Sequence, residues 1–282
     1  MRSHMTYDLH VHTHLSDCAD KQAFYHRYIP LAEEMGQTVL GFADHSWADG
    51  VEGASPWYKK QPFSRLQKQK QELCEYLQQN PSPVKVLQGA EGEFANFLLG
   101  VDDEAAEYAD YIIIPHDHVH MKGFVIPMER YSEEGIAKFL LESFEALCKH
   151  PRKDLFVGLC HPMVPCCHPW QFKNAVYKHI TDGQLEDALK GAKEAGVWLE
   201  LNLSEFADVP RDQWESYEYL RFFRAAKKVG NTMFWGSDAH KPENYVARHA
   251  IAEDVLVLTG LTDADFRTAE TAILSKAERP GQ

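Results

Sequence analysis

The chain has 282 residues, of which 44% are apolar and 25% charged, a composition typical of a globular protein with an ample core. Its 42 acidic and 29 basic residues give a net charge of −13, which argues against a generally basic nucleic-acid-binding surface but not against a small phosphate site. No apolar run approaches the roughly 20 residues of a membrane span, and no apolar segment precedes Asp8. We therefore expect a cytoplasmic protein with no membrane or nucleic-acid partner, and we interpret residues 1–4 as a leader left by cloning.

Seven short apolar runs predict β-strands, and amphipathic stretches between them predict helices. The strands are expected at Tyr7–His12, Val39–Phe42, Val84–Gly89, Tyr111–Pro115, Phe156–Leu159, Val197–Leu201 and Thr232–Trp235. The clearest helical patterns cover Phe63–Gln78, Glu133–Lys149, Asp182–Ala195 and Trp214–Val229, with Ser132 as an N-cap and Gly196 and Gly230 after helix ends. Strands that alternate with helices predict parallel βα units in a single α/β domain over residues 1–282, and seven units favour a barrel over an open doubly wound sheet.

Most of the 15 histidines, and many acidic residues, lie at the carboxyl ends of the predicted strands or just after them. The groups after the seven strands, in chain order, are His10, His12 and Asp17; Asp44 and His45; Glu91 and Glu93; His116, Asp117, His118 and His120; His161; Glu200 and Asn202; Asp238 and His240. A parallel barrel places its active site at the carboxyl ends of its strands, and alternation along a strand turns His10 and His12 to the same side. The pattern therefore predicts one polar site.

Imidazole and carboxylate groups dominate this set, and it contains no obvious thiolate. Such ligands suit zinc, manganese or iron, and the number of candidates calls for two or three divalent ions. A close cluster of ions can clamp phosphoryl oxygens and generate a nucleophile from water at neutral pH. No serine elbow, P-loop or dinucleotide fingerprint is present, so we expect a metal-bound hydroxide and no protein nucleophile.

The six cysteines are scattered and form no Cys-x-x-Cys pair, so a structural thiolate zinc site is not expected. In a cytoplasmic protein they are most simply reduced thiols. The vicinal pair Cys166 and Cys167 is typical of an ordinary loop or of soft-metal chemistry, and the sequence leaves its role open.

The motifs resemble those of the polymerase and histidinol phosphatase (PHP) family of metal-dependent phosphoesterases. The matching pieces run in family order from Asp8-Leu-His-Val-His12, through Ala43-Asp-His45, Gly89-Ala-Glu91 and His161-Pro162, to Gly236-Ser-Asp-Ala-His240. The resemblance implies a distorted (β/α)7 TIM-like barrel, a trinuclear metal centre with a bridging hydroxide, and a length like that of stand-alone histidinol phosphatases. It implies metal-ligand roles for His10, His12, Asp17, His45, Glu91, His161, Asp238 and His240. At the fourth strand His118 is favoured, because Lys122-Gly-Phe124 resembles the segment after the family ligand, and His116 is the alternative.

One segment departs from the histidinol-phosphatase pattern. That branch has an aspartate and arginines after the fifth-strand histidine, whereas this chain reads His161-Pro-Met-Val-Pro-Cys-Cys167. An arginine fork is well suited to a phosphate monoester, so its loss bears on the substrate and not on the metals. Replacement contacts to substrate are predicted among Asn202, Arg211, Arg248, Lys122 and Lys241. Glu200 and Asn202 match a family Glu-x-Asn and are also expected to orient the metal ligands.

The favoured function is a metal-dependent phosphatase for a small phosphate monoester, with histidinol phosphate, and hence histidine biosynthesis, as the leading substrate assignment. Nucleoside monophosphates or a small phosphodiester remain open, as does the oligomeric state. An amidohydrolase-like C–N hydrolase fits less well, because Glu91 lies on the third strand where that class usually needs a bridging lysine or glutamate on the fourth. A non-catalytic, metal-stabilised partner module is the third possibility.

Overall fold

A computed structural model describes residues 5–268 of the chain. The strands of this region are β1 (Tyr7–Val11), β2 (Val39–His45), β3 (Lys85–Glu91), β4 (Phe94–Ala95), β5 (Leu98–Leu99), β6 (Ile112–Ile114), β7 (Gly158–Leu159), β8 (Trp198–Asn202) and β9 (Met233–Gly236). Seven of them form a parallel sheet in the order β1-β2-β3-β6-β7-β8-β9, and β4 and β5 form a separate antiparallel hairpin. Each predicted strand therefore has its counterpart in the sheet.

The sheet curves until its first and last strands meet. The amide of Asp238 donates to the carbonyl of His10 at 2.6 Å, and the amide of His12 donates to the carbonyl of Ala239 at 2.9 Å. The buried carboxylate of Asp8 strengthens this seam, because it accepts hydrogen bonds from the amide of Ser237 and from the His249 ring. The result is a nearly closed seven-stranded barrel, which confirms the predicted α/β barrel over the open sheet.

Helices surround the barrel. They are α1 (Tyr25–Met35), α2 (Arg65–Gln79), α3 (Asp103–Tyr108), α4 (Glu133–Cys148), α5 (Trp170–Tyr177), α6 (Asp182–Ala195), α7 (Ser204–Ala207), α8 (Leu220–Val229), α9 (Pro242–His249) and α10 (Ala252–Thr259). The Ser132 side chain caps α4, and Gly196 and Gly230 end α6 and α8 in the left-handed conformation, as predicted. None of the helices within residues 5–268 is long and apolar enough to cross a membrane.

The predicted helix Trp214–Val229 is wrong in its first half. A 3-10 helix covers Arg211–Ser216, and α8 begins only at Leu220. The backbone between them is extended at Tyr217, whose hydroxyl donates to the buried carboxylate of Glu205 at 3.1 Å. A contact with a residue distant in sequence thus interrupts a locally helical pattern.

The interior of the barrel below the strand ends is filled by the ring of Tyr111. Its hydroxyl crosses the barrel to donate to the carbonyl of Leu9 at 2.6 Å. The side chain lies against the backbone of Gly41 and Gly89. A Cβ atom at Gly41 would approach the Tyr111 hydroxyl oxygen to 2.2 Å, and one at Gly89 would approach the ring to 2.3 Å. Tyr111 therefore forms the floor on which the polar strand ends rest.

Candidate metal centre

The histidines at the strand ends converge on the fully buried carboxylate of Glu91, the last residue of β3. Its oxygens lie 2.9 Å from His45 Nδ1, 3.1 Å from His161 Nε2, 3.4 Å from Nε2 of both His10 and His12, and 3.7 Å from His118 Nε2. Five imidazoles from the ends of β1, β2 and β7 and from the segment after β6 therefore surround one carboxylate. The shared centre predicted from strand-end positions is present.

Asp238 and His240 join this cluster from the end of β9. Asp238 Oδ1 is 3.1 Å from His12 Nε2 and 3.6 Å from His10 Nε2, and the His240 ring packs 4.2 Å from the His12 ring. Asp238 has a φ of 53°, which is a strained conformation for a residue with a side chain. The buried Arg248 holds the turn by donating to the carbonyls of Ser237 and Asp238.

Carboxylates behind the cluster fix the orientation of three rings. Nδ1 of His10 is 2.8 Å from Glu200, Nδ1 of His118 is 2.7 Å from Glu93, and Nδ1 of His161 is 2.9 Å from Asp117. An ionised carboxylate can only accept, so each Nδ1 carries the hydrogen and each Nε2 directs a lone pair towards Glu91. Backing of this kind is typical of metal-binding histidines.

His12 receives equivalent support from a hydroxyl. The Ser16 hydroxyl donates to Asp44 at 2.8 Å and so accepts from His12 Nδ1 at 3.0 Å. Asp44 also accepts from the amide and hydroxyl of Thr13, which secures the whole turn after β1. Asp44 thus supports the site from behind the His12 ring.

The donor set fits bound divalent cations. His10 Nε2 and His12 Nε2 face each other at 3.1 Å, an arrangement in which two lone pairs repel unless a cation lies between them. Glu91 Oε2 and His45 Nδ1 are buried, 2.9 Å apart, and neither has a hydrogen-bond partner. Burial alone would raise the pKa of Glu91, yet positive charge and N–H donors on the surrounding histidines hold that pKa well below its usual value. Where those rings present lone pairs instead, a bound cation would supply that positive charge. An ionised buried carboxylate among imidazole lone pairs is the environment of a zinc-type ion.

The two histidines after β6 have different surroundings. His116 Nδ1 contacts the Ser143 hydroxyl at 2.8 Å, and its Nε2 accepts from the amide of Met163 at 3.1 Å. Both of its nitrogens are therefore used by the protein core, whereas His118 faces Glu91. This geometry favours His118 over His116 as a ligand.

The turn after β1 differs from the expectation in one residue. Asp17 is exposed, and its amide donates to the Gln61 side chain at 3.0 Å. The neighbouring Cys18 thiol instead lies beside His45 and His240, and these two rings lower its pKa to about 6 although burial opposes the shift. The ligand role of Asp17 stays a prediction, and Ser16 and Cys18 are the residues of this turn beside the histidines.

Two further thiols lie at the cluster, beside the imidazole and carboxylate groups that the sequence pattern predicted. The buried Cys160 Sγ donates to Glu91 at 3.4 Å, and Cys166 Sγ lies within 4.8 Å of ring nitrogens of His118 and His161. These residues form no sequence motif, because they come from a strand end and from the loop that follows it. A short sequence pattern could not have identified them.

The predicted substrate-binding residues are mostly engaged elsewhere. Asn202 is buried and donates to Glu200 at 3.0 Å, so it supports the carboxylate that orients His10. Arg211 pairs with Asp254 on the surface, Arg248 is used by backbone carbonyls, and Lys122 lies 3.8 Å above the Tyr131 ring. Lys241 is exposed and precedes α9.

A positively charged side chain that was not predicted from the sequence, Arg65, lies beside the cluster. Arg65 opens α2 and donates to the carbonyl of Leu15 at 2.6 Å and to that of His45. Its Nε atom is buried without a hydrogen-bond partner. Its position after a long loop gave no signal in the sequence, because only the fold brings it next to His45.

Comparison with known proteins gives a structural likeness. No family model and no curated protein sequence matches the chain. The crystal structure of histidinol phosphate phosphatase from Lactococcus lactis subsp. lactis, in complex with zinc, L-histidinol and phosphate, superposes with a TM-score of 0.60 at 15% identity, covering 91% of this chain and 94% of that one. This chain has the fold of that phosphatase. The match confirms the predicted likeness to a histidinol-phosphatase-type PHP barrel.

A more distant likeness is to the structures of YwqE from Bacillus subtilis and CpsB from Streptococcus pneumoniae, metal-dependent tyrosine phosphatases. Here the TM-score is 0.40 at 14% identity, covering 91% of this chain and 95% of the other.

Proposed function

We propose that this protein is a metal-dependent phosphatase that hydrolyses a small phosphate monoester. The observation that carries the proposal is the convergence of five imidazoles on Glu91, with carboxylate or hydroxyl partners behind His10, His12, His118 and His161. The shared fold with a zinc-containing histidinol phosphate phosphatase supports the same function. Histidinol phosphate is the first substrate to test, and its place in histidine biosynthesis and a cytoplasmic location stay predictions.

The proposed ligands form several groups around Glu91, whose carboxylate would be shared between ions. The ligand set is His10, His12, Asp17, His45, Glu91, His118, His161, Asp238 and His240, for two or three ions of zinc, manganese or iron. Donor atoms of His10, His12 and Glu91 form one compact group, and those of His12, His45 and His240 form another. A third group contains His118 and His161.

Bound ions would supply a water of lowered pKa and neutralise charge on the phosphoryl oxygens. The residues of this chain hold the reacting groups. Among the side chains packed around Glu91, Asp238 and His240 are the most exposed, with 12% and 28% of their surface accessible, so substrate would approach from the end of β9. The buried carboxylates behind the rings keep the Nε2 lone pairs fixed, which limits reorganisation during the reaction.

The phosphate is expected to be bound mainly by the metal centre. The loop after His161 carries no arginine, and Arg211 and Arg248 are engaged in other contacts. Arg65 lies beside His45 and, like Arg248, donates to backbone carbonyls, so it would contribute positive charge and not a fork on the phosphate. A pocket of this kind would distinguish substrates mainly by the shape of the alcohol that carries the phosphate, and less by the binding of the phosphate to an arginine fork.

The test combines metal content with phosphate release. Purified protein is assayed by elemental analysis and against a panel of histidinol phosphate, nucleotides and a chromogenic monoester. Two or three ions per chain and metal-dependent release are expected. Metal without release from any ester would contradict the phosphatase and favour a C–N hydrolase or a partner-bound module, and protein that binds no metal would contradict the metal centre itself.

A further inference from the structure

The loop that follows β7 has an unusual backbone for a segment without glycine. His161, Met163 and Cys167 have φ values of 31°, 68° and 61°, all in the left-handed region that side chains disfavour. Strained residues persist only where the surrounding structure holds them, and they concentrate at functional sites.

Side chains from several elements hold this loop in place. The amide of Val164 donates to the Asp117 carboxylate at 3.3 Å, and the amide of Cys166 donates to the Asp117 carbonyl at 3.2 Å. The carbonyl of Cys166 accepts from His168 Nδ1 at 2.9 Å, and His168 Nε2 accepts from the Tyr131 hydroxyl at 2.6 Å. The position of the Cys166 backbone is therefore fixed on both sides.

This conformation directs the Cys166 thiol into the metal centre. Cys166 is 7% exposed, and its Sγ lies within 4.8 Å of ring nitrogens of His118 and His161. The Nδ1 atoms of both rings are occupied by Glu93 and Asp117, so the Nε2 atoms are the free donors. These Nε2 atoms are 3.7 and 3.1 Å from Glu91 Oε1.

The separations fit one tetrahedral ion. Zinc bonds of about 2.0 to 2.3 Å place neighbouring ligand atoms roughly 3.3 to 3.8 Å apart. The two measured nitrogen-to-oxygen distances lie close to that range. Glu91, His118 and His161 would supply three corners. The Cys166 thiol forms a compact donor group with the two rings, so it is the donor on the loop side for the fourth corner.

We propose that Cys166 is the fourth ligand of a divalent ion held by Glu91, His118 and His161. The inference rests on the proposed metal centre and goes beyond it. The ion at this position would have four protein ligands, one of them sulfur, and no open coordination site for substrate. On binding, the thiol releases its proton to solvent and the thiolate bonds the ion. A thiolate favours zinc over manganese, and a closed position stabilises the fold while the open side near Asp238 remains for substrate.

Cobalt(II) tests the assignment without relying on activity. The full-length protein, as wild type and with Cys18→Ser, is stripped of metal and reloaded with cobalt. A cobalt–thiolate bond gives a near-ultraviolet charge-transfer band, whereas nitrogen and oxygen ligands give only the visible bands. The Cys18→Ser background removes one other thiol beside the metal-site histidines. Cys160→Ser in that background removes the buried thiol that contacts Glu91 and lies beside His161, and it should keep the near-ultraviolet band.

In that background Cys166→Ser, and Cys166→Ala as a second variant, should lose the near-ultraviolet band and keep visible bands from the remaining ions. Cys167→Ser, the adjacent thiol, and Cys74→Ser, an exposed thiol on α2, are the controls and should keep it. Zinc affinity at one position should fall about 10- to 100-fold in Cys166→Ser, with little change for manganese.

The proposal is overturned if Cys166→Ser binds cobalt with an unchanged near-ultraviolet band, or if the Cys18→Ser protein shows visible bands and no charge-transfer band. Both results would leave the metal centre intact. Protein that binds no cobalt at all would overturn the metal centre together with this inference.

Discussion

The two sides of the metal centre are built differently, although both use Glu91. The seam side, defined by His10, His12, Asp238 and His240, lies where β1 meets β9 and opens to solvent at Asp238 and His240. The loop side, defined by His118, His161 and Cys166, is buried and depends on strained residues after β7. Under the proposed function, the seam side would perform the chemistry and the loop side would hold its ion.

The change with the largest expected effect removes the residue that both sides share. Glu91→Gln keeps the side-chain shape but loses the charge, so metal content should fall on both sides. Loss of several kcal/mol of metal-derived transition-state stabilisation corresponds to at least about 1,000-fold in phosphate release. Elemental analysis and a chromogenic ester measure the two effects, and Glu145→Gln on the surface of α4 is the control. Wild-type turnover in Glu91→Gln would contradict a shared carboxylate.

The seam side alone is tested by Asp238→Ala and His240→Ala. Each should abolish detectable turnover and lower the metal content, while the ion on the loop side remains. Asp187→Ala, an exposed aspartate on α6, should have no effect. If either seam variant kept wild-type turnover, the metal-cluster interpretation would be wrong.

A smaller effect separates the two sides through their supporting carboxylates. Glu200→Gln weakens the partner of His10 on the seam side, and its amide oxygen can still accept from the backbone amide of His161 as Glu200 does. Asp117→Asn weakens the partner of the His161 ring on the loop side. Each should lower zinc affinity about 10- to 100-fold at one position only. Competitive zinc titration should show one weakened class of site in each variant and a different class in the two. A loss of both classes in either variant would show that the sides are not independent.

The smallest effect concerns His116, which lies near the loop side but faces the core. Burial lowers the pKa of His116 to about 3, so the folded protein holds it neutral, whereas an unfolded histidine titrates near about 6.5. Its contribution to stability is therefore complete above about pH 6.5 and is lost as the pH falls towards the folded pKa. Between about pH 7.5 and about pH 5.5 the stability advantage of wild type over His116→Gln should shrink by about 1 kcal/mol. Urea unfolding at both pH values measures it, and a constant difference would mean that His116 is not neutral in the native state.

The sequence predicted the seam side better than the loop side for a physical reason. His10 and His12 alternate along a regular strand, and Glu91 ends another, so strand periodicity and the barrel rule place them correctly. The loop side follows β6 and β7, which have only three and two residues, and its chain direction depends on left-handed residues that are not glycine. Periodicity carries no information there, so the sequence favours His118 over His116 only through the family resemblance of Lys122-Gly-Phe124. The approach of Cys166 emerged only in three dimensions.

The floor of the barrel restricts how related sequences can vary. The ring of Tyr111 occupies the volume that a side chain at position 41 or 89 would need. Any relative with a larger residue at either position should therefore carry a smaller one at position 111, and the three positions should change together. Although none of them is proposed to bind metal or substrate, their joint variation would be a fingerprint of this barrel that survives when the strand-end motifs have diverged.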